Sequence, residues 1–475
     1  MKGGVILVAG RGVNVLVQLA TTILLARLLS PHEFGLVAIV AALVLFAPIL
    51  VDLGTTDAST QKANITTAEI STLFWLNLAT GCMLTVLFAA GAGLIATFFG
   101  EPALTGIALL SSLTFVMTAV SIQHYALMRR AMEFQRIAII DLSANTISSI
   151  VAVVLALSGW GYWSLAAKPI VQLALTACGA WLSCPWLPGR PRLSSGAKEL
   201  VGFGLGVTGF TIMDTISRSA DRVALGYFNG PGSLGYFQNA FLLYFNVLNV
   251  LTEPMHNIGV SSLSKLRDNA LGLRRSWAAA LSSTTFFCAP VFAALAVTGQ
   301  DFAVLLLGQK WAPVGPLLCV FAIRGIANSV ERTMGWLHVV AGRSDRWMRW
   351  GVFSAGCHLV ALMGGLPFGA MGVAVAYTIA MFCLYVPALV YAGQPIGIGV
   401  RDVLSATGPQ MVSALVAVAF GLAMQRMFLL EVSELARFII SIPICVGAYL
   451  VIALGVFRMT GPLKLAHTLM RDWAR

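Results

Sequence analysis

Residues 34–51 read FGLVAIVAALVLFAPILV, a stretch of 18 residues without a charged side chain. Glu33 precedes the stretch and Asp52 follows it. At the rise of an α-helix, about 1.5 Å per residue, such a stretch extends roughly 27 Å, close to the thickness of a bilayer's hydrocarbon core. The stretch therefore predicts a helix that crosses a membrane.

The same pattern recurs along the whole chain of 475 residues, which is 58% hydrophobic and 10% charged. A soluble domain carries about a quarter charged residues, so a soluble fold is excluded. Apolar runs of roughly 17 to 25 residues, bounded by Gly, Pro and charge, predict about fourteen transmembrane helices. The predicted fold class is an all-α integral membrane protein.

Lys and Arg are concentrated in short loops between the apolar runs, and the net charge is +11. With the N-terminus placed in the cytoplasm, the predicted cytoplasmic segments hold all but eight of the 30 Lys and Arg. Both termini are then cytoplasmic, and a cleaved signal peptide is not expected. The basic charge thus indicates cytoplasmic loops near anionic lipids and not a nucleic-acid partner.

A weak internal repeat relates residues 27–36, RLLSPHEFGL, to residues 228–236, FNGPGSLGY, about 200 residues later. A second pair relates Gly161–Ala166 to residues 369–374 at nearly the same offset. The repeat predicts two parallel six-helix lobes with substrate bound between them, one common plan of transporters. The predicted domains are residues 1–190, residues 195–395, and a helix pair with a short tail over residues 400–475.

Polar side chains recur within four predicted helices at spacings that share one helical face. Such groups are costly at mid-membrane, so they normally face a bundle interior or a watery cavity. The first and seventh helices carry Arg11, Asn14, Gln18, Thr21, Thr22 and Thr211, Asp214, Thr215, Arg218, Asp221, Arg222. The eighth and tenth carry Asn246, Asn249, Glu253, His256, Asn257 and Arg324, Asn328, Glu331, Arg332.

Cations in these spans are candidates for binding an anionic headgroup, because Arg binds phosphate bidentately and Lys binds it as a point charge. The candidates are Arg11, Lys168, Arg218 and Arg324. The amides expected to line the same cavity are Asn14, Gln18, Asn249 and Asn328. The alternative is charge neutralisation within a helix, since Asp214 lies four residues before Arg218.

Acidic groups and one histidine in the spans are candidates for coupling transport to an ion or a proton. These candidates are Asp52, Asp214, Glu253 and His256. The alternatives are that Asp52 marks the inner end of the second helix and that His256 is simply hydrogen bonded.

No catalytic motif, metal site or cofactor site is predicted. Residues 204–209, GLGVTG, fit the dinucleotide pattern, but no strand precedes them and they lie within an apolar span. The eight Cys are scattered without a C-x-x-C pair, and the outer loops are too short for a catalytic domain.

Several local sequences, taken in order, resemble the polysaccharide-exporter (Wzx-type flippase) branch of the multidrug/oligosaccharidyl-lipid/polysaccharide superfamily. They are residues 24–35, 52–54, 71–78, 129–134, 161–165, 221–222 and 234–236. The resemblance implies two six-helix lobes that alternate between inward-open and outward-open states in a bacterial inner membrane. It also implies an undecaprenyl-diphosphate-linked oligosaccharide as substrate, with glycan polymerase and export machinery as partners.

Three other functions compete with this interpretation. A drug/cation antiporter of the same fold is expected to have an acidic cavity, whereas the stripes here contain Arg and Lys. A membrane glycan polymerase or ligase usually has a large outer loop, which the sequence lacks. A scaffold without transport activity leaves the polar stripes unexplained.

Overall fold

The computed structural model describes residues 2–56, 59, 65–190, 195–266, 269–429 and 431–463. Every regular element in this part of the chain is helical. The chain groups into two compact units, residues 1–235 and residues 236–475. The predicted domain boundaries at 190/195 and 395/400 stay a prediction.

In the described part of the first unit, eight helices come first along the chain. They are α1 (Lys2–Leu28), α2 (Pro31–Val44), α3 (Ala47–Asp52), α4 (Thr67–Ala90), α5 (Ala92–Phe99), α6 (Ala103–Arg130), α7 (Phe134–Leu157) and α8 (Tyr162–Ser183). The next helix, α9 (Ser195–Ser264), breaks at Gly230, whose φ is 78°, and its second arm continues into the second unit. One residue with a left-handed backbone thus joins two long helical arms.

In the described part of the second unit, seven α-helices follow. They are α10 (Ala270–Leu307), α11 (Val314–Glu331), α12 (Met334–Ala341), α13 (Ser344–Gly365), α14 (Gly369–Gly393), α15 (Val400–Phe428) and α16 (Glu434–Leu450). A π-helical turn over Val451–Val456 extends α16.

Capping residues fix where two helices of the first unit begin. Ser30 precedes α2 and exchanges hydrogen bonds with Glu33, and Thr66 does the same with Glu69 ahead of α4. Each such capping box satisfies backbone N–H groups that a helix start leaves unpaired. Pro31 adds a fixed φ at the first position of α2, where no N–H is needed.

Ten segments of the described residues are long and apolar enough to cross a membrane. One of them, Asp345–Ile396, has 52 residues and contains both α13 and α14. Because about 20 residues suffice for one crossing, this segment has the length of two. The all-helical, multi-span character predicted from the sequence is confirmed, whereas the count of about fourteen and the cytoplasmic termini stay predictions.

The second sequence pair of the internal repeat has matching backbone geometry. Gly161 precedes α8 with φ 54° and ψ −133°, and Gly369 opens α14 with φ 69° and ψ −161°. Side chains other than glycine are rarely found in this region of backbone space. The two turns share one conformation that the sequence similarity alone left undefined.

The terminal helices are joined to α10 by a buried ion pair. Asp301 of α10 is 1% exposed and accepts hydrogen bonds from Arg437 Nε of α16 at 2.8 and 2.9 Å. Gln425 Nε2 of α15 donates to the same carboxylate at 3.1 Å. One carboxylate thereby connects three helices of the second unit.

Candidate functional site: a buried cationic cluster

Arg324 lies in the middle of α11 and is 9% exposed. Its guanidinium carbon lies 5.4 Å from the centroid of the Tyr377 ring of α14, a cation–π distance. Its buried Nε has no hydrogen-bond acceptor among the described residues. A buried guanidinium with an unused donor is a strong local source of positive charge.

Glu331 and Arg332 follow Arg324 two helical turns along α11. Arg332 donates to Thr252 Oγ1 of α9 at 2.8 Å and lies over the ring of Phe245 at 5.4 Å. Both arginines act electrostatically on the Glu331 carboxylate. Two guanidinium groups face a single carboxyl group, so the cluster has an excess of positive charge.

Two further polar side chains on other helices lie within electrostatic range of Arg324. Tyr244 of α9 is 1% exposed, and its hydroxyl has no hydrogen-bond partner among the described residues. His358 of α13 bonds through Nδ1 to the carbonyl oxygen of Ser354 at 2.8 Å, and its ring lies 5.7 Å from Tyr377. Since a carbonyl only accepts, Nδ1 carries the hydrogen of a neutral His358.

The cluster thus offers more donors than acceptors: a guanidinium N–H and a phenol hydroxyl are unused, and one carboxylate faces two guanidinium groups. An arrangement of this kind favours an anion whose oxygens accept several hydrogen bonds, such as a phosphate. The alternative, that Glu331 simply neutralises charge within α11, accounts for one positive charge but not for both.

The structure places three other candidates at half-buried positions. Lys168 lies on α8, and no described residue forms a hydrogen bond or ion pair with its amine. Asn249 and Asn328 are half-buried on α9 and α11, and both share a unit with Arg324. Their predicted role in binding stays a prediction.

Two candidates of the first helix differ in their surroundings. The Asn14 side-chain oxygen accepts a hydrogen bond from Asn145 of α7, which is 5% exposed. Gln18 is exposed, and its side-chain amide forms no hydrogen bond with a described residue. Asn14 therefore has a packing role between α1 and α7, which the sequence did not reveal.

The candidates for ion or proton coupling have different surroundings in the structure. Asp52 accepts hydrogen bonds from the Thr55 and Thr56 hydroxyls at 2.9 and 2.8 Å, in a turn that follows the left-handed Leu53. Glu253 and His256 are exposed on α9, and the His256 ring lies 6.1 Å from the ring of Trp336. The side chains of Arg11, Asp214 and Arg218 lie outside the described residues.

The Asp52 turn continues into a buried polar network of the first unit. Asn77 Nδ2 donates to Thr55 Oγ1 at 2.9 Å, and Gln123 Nε2 donates to the same oxygen at 3.1 Å. Asn77, Thr55 and Gln123 are each 0% exposed. These bonds satisfy buried amides between α4, α6 and the turn, which favours the structural interpretation of Asp52.

Tyr244, Tyr377 and His358 are the members of the cluster that sequence reasoning missed. They lie in runs that otherwise read as apolar, and they reach Arg324 from three different helices. A search for isolated polar side chains within apolar spans detects each of these residues, but it does not show that they lie around one arginine. In the described part of the chain, no group of three or more His, Cys, Asp and Glu has the arrangement of a metal site.

The sequence profile of the family described as "Polysaccharide biosynthesis protein" matches residues 24–316, more than half of the chain. The chain belongs to this family. The polysaccharide biosynthesis family includes the branch that the local sequences resembled, so that expectation is confirmed.

Two curated relatives are similar over most of the chain. Lipopolysaccharide biosynthesis protein WzxC of Escherichia coli (strain K12) is 25% identical over 360 residues, 74% of this chain and 72% of WzxC. Succinoglycan biosynthesis transport protein ExoT of Rhizobium meliloti (strain 1021) is 26% identical over 372 residues, 77% of this chain and 74% of ExoT.

Among solved structures, the lipid II flippase MurJ in its inward closed conformation is similar in fold. The TM-score is 0.76 at 14% sequence identity, over 96% of this chain and 99% of MurJ. At this identity the likeness concerns the fold alone. It extends across both compact units of this polysaccharide biosynthesis family member.

Proposed function

We propose that this chain is a flippase that moves undecaprenyl-diphosphate-linked oligosaccharide repeat units from the cytoplasmic to the periplasmic leaflet of a bacterial inner membrane. The proposal rests first on membership of the polysaccharide biosynthesis family. The relatives' names, lipopolysaccharide biosynthesis and succinoglycan transport, and the MurJ-like fold support transport of a lipid-linked glycan.

The Arg324 cluster supports a diphosphate as the recognised group. Arg324 Nε and the Tyr244 hydroxyl are buried without acceptors among the described residues, and phosphate oxygens accept from both donor types. A drug/cation antiporter needs the opposite charge, and this cluster carries an excess of positive charge.

The finer organisation is part of the same proposal. Fourteen helices are obtained when the two arms of α9 and the two helices of Asp345–Ile396 are counted separately and α1 is included. An even count agrees with both termini in the cytoplasm. Two parallel lobes then alternate access to the substrate, and a polymerase and export machinery receive the glycan on the periplasmic side.

A gene deletion tests the proposed function. We expect the cell to lose one surface glycan while the corresponding lipid-linked repeat unit accumulates in the cytoplasmic leaflet. Normal surface glycan in the deletion strain, with no accumulated intermediate, contradicts the flippase assignment.

Substitutions at Arg324 test the site separately. Arg324→Ala in the complemented strain should lower export about tenfold or more, the equivalent of about 1.5–3 kcal/mol for a hydrogen bond to a charged group. Arg324→Lys retains the charge but lacks the planar guanidinium, so its export should lie between that of the wild type and that of Arg324→Ala. Arg343→Ala is the matched control, because Arg343 is half-exposed and pairs with the exposed Asp345. Normal export by Arg324→Ala at equal protein level argues against this site.

A further inference from the structure

Two glycines of the first unit lie against backbone where no side chain fits. A Cβ placed on Gly35 of α2 overlaps the carbonyl oxygen of Pro231 and lies 2.8 Å from the Pro231 Cα. A Cβ placed on Gly235 of α9 overlaps the carbonyl oxygen of Pro31 and lies 2.9 Å from the Pro31 carbonyl carbon. Real Cβ atoms essentially never approach other heavy atoms within 3.0 Å, so both positions require glycine.

These four residues are two equivalent pairs of the internal repeat. An offset of 200 residues relates Pro31 to Pro231 and Gly35 to Gly235. Each glycine contacts the proline of the other copy, and a Cβ on Gly235 also lies 3.3 Å from the Gly35 nitrogen. Reciprocal contact of equivalent residues is what a two-fold axis produces. The two turns therefore meet about a local pseudo-two-fold axis.

The neighbouring side chains extend this contact. A Cβ on Gly226 lies 2.8 Å from Ile39 Cγ1, and Ile39 is 0% exposed. The ring of Tyr227 stacks on that of Phe98 at 4.5 Å and 25°. The contact between α2 and α9 is thus packed without space for water or for a substrate between Gly35 and Gly235.

We propose that Pro31–Gly35 and residues 231–235 form a symmetric backbone gate on the periplasmic side, which closes the transport path and parts when the glycan is released. This inference rests on the proposed function and on the predicted topology, in which the turns after the first and seventh helices face the periplasm. Where Gly35 and Gly235 meet the opposite prolines, the contact consists of backbone and glycine, so no long side chains interlock at that point.

The test uses a buried reporter on the gate and a thiol reagent that does not cross membranes. Leu234 is 0% exposed, so Leu234→Cys in the full chain should react slowly with a charged maleimide added outside the cells. Gly35→Ala or Gly235→Ala should raise the labelling rate of this reporter at least tenfold and lower glycan export. Gly232→Ala is the matched control, because a Cβ there meets nothing within 4 Å. Labelling of the chain without the reporter gives the background from the natural cysteines.

Symmetry gives the test a second criterion. Once an alanine at either position holds the turns apart, the second substitution has no contact left to break, so the double variant should label no faster than each single variant. If Gly35→Ala fails to accumulate, Ile39→Ala loosens the same contact by removing atoms and should also raise labelling. Slow labelling in every folded variant, or equal effects of Gly232→Ala and Gly235→Ala, overturns the gate.

The outcomes separate this inference from the proposed function. Fast labelling of Gly35→Ala together with normal surface glycan in the deletion strain supports the gate and contradicts the assigned substrate. Loss of glycan in the deletion strain with slow labelling of all variants supports the flippase and contradicts the gate.

Discussion

Replacement of Asp301 by Asn should destabilise the second unit, because it removes the buried carboxylate that pairs with the partly buried guanidinium of Arg437. The Asp301 side chain is 0% exposed and that of Arg437 is 19% exposed. Two unit charges about 4 Å apart interact by roughly 4 kcal/mol at an effective dielectric constant of 20. Removal of one partner from a buried pair costs about 3–5 kcal/mol in measured cases. We expect a loss of free energy of unfolding in this range.

Chemical unfolding of the purified protein in one mild detergent, followed by tryptophan fluorescence, measures this loss. Asp345→Asn is the control, because its partner Arg343 and Asp345 itself are about half exposed, and no measurable change is expected there. Asp301→Asn combined with Arg437→Met removes both charges and should recover at least half of the loss.

Equal unfolding midpoints for Asp301→Asn and Asp345→Asn refute the reasoning, since burial would then not strengthen the Asp301–Arg437 pair. A double variant that is less stable than either single variant refutes it in another way. In that case Arg437 contributes through packing of its aliphatic stem and not through its charge.

The same unfolding experiment tests two substitutions with smaller expected effects on the free energy of unfolding. Ser30→Ala should cost about 1 kcal/mol, because the hydroxyl accepts from the Glu33 N–H and the capping box is lost; an unchanged midpoint argues against the cap. Gly81→Ala should cost about 1–3 kcal/mol, because its Cβ lies 2.7 Å from that of Ala119 where α4 crosses α6. Gly93→Ala, whose Cβ meets nothing within 4 Å, should leave stability unchanged or raise it slightly, because alanine favours a helix more than glycine does, and an equal loss in both alanine variants contradicts the packing argument.

The helices were predictable because a membrane leaves an apolar chain few alternatives. Within hydrocarbon every backbone N–H and C=O must be paired inside the protein, and a helix achieves this locally. The stretch at residues 34–51 illustrates both the success and its limit. The structure divides it between α2 and α3, with an interruption at Leu45–Phe46 ahead of Pro48. The mean hydropathy of the stretch does not detect such a break in the helix.

The candidate site was predictable along one helix but not across several. Spacing predicted a shared helical face for Arg324, Glu331 and Arg332, and in the structure Arg324 and Glu331 lie in α11 with Arg332 as its C-cap, since helical periodicity is a local property. It did not reveal that Tyr244 and Tyr377 converge on them, because these contacts depend on how distant helices pack. Periodicity shows which residues share a helical face, but it does not show which other helices that face contacts.

The ion pair at Asp301 shows the same limit for stability. The carboxylate lies in a largely apolar run, and its partner is 136 residues away. Sequence reasoning placed Arg437 outside or within a helix without a partner. A long-range pair of single charges leaves no periodic pattern, so only the packed structure reveals it.

The connection of α15 and α16 to α10 through Asp301 also has an evolutionary consequence. If a descendant lost its last two helices, the Asp301 carboxylate would lose the hydrogen bonds from Arg437 and Gln425, at a cost of about 3–5 kcal/mol. Truncation of the gene would therefore be tolerated far better after Asp301 had become neutral. The favoured order of events is therefore a point substitution of Asp301 in α10, followed by deletion of α15 and α16.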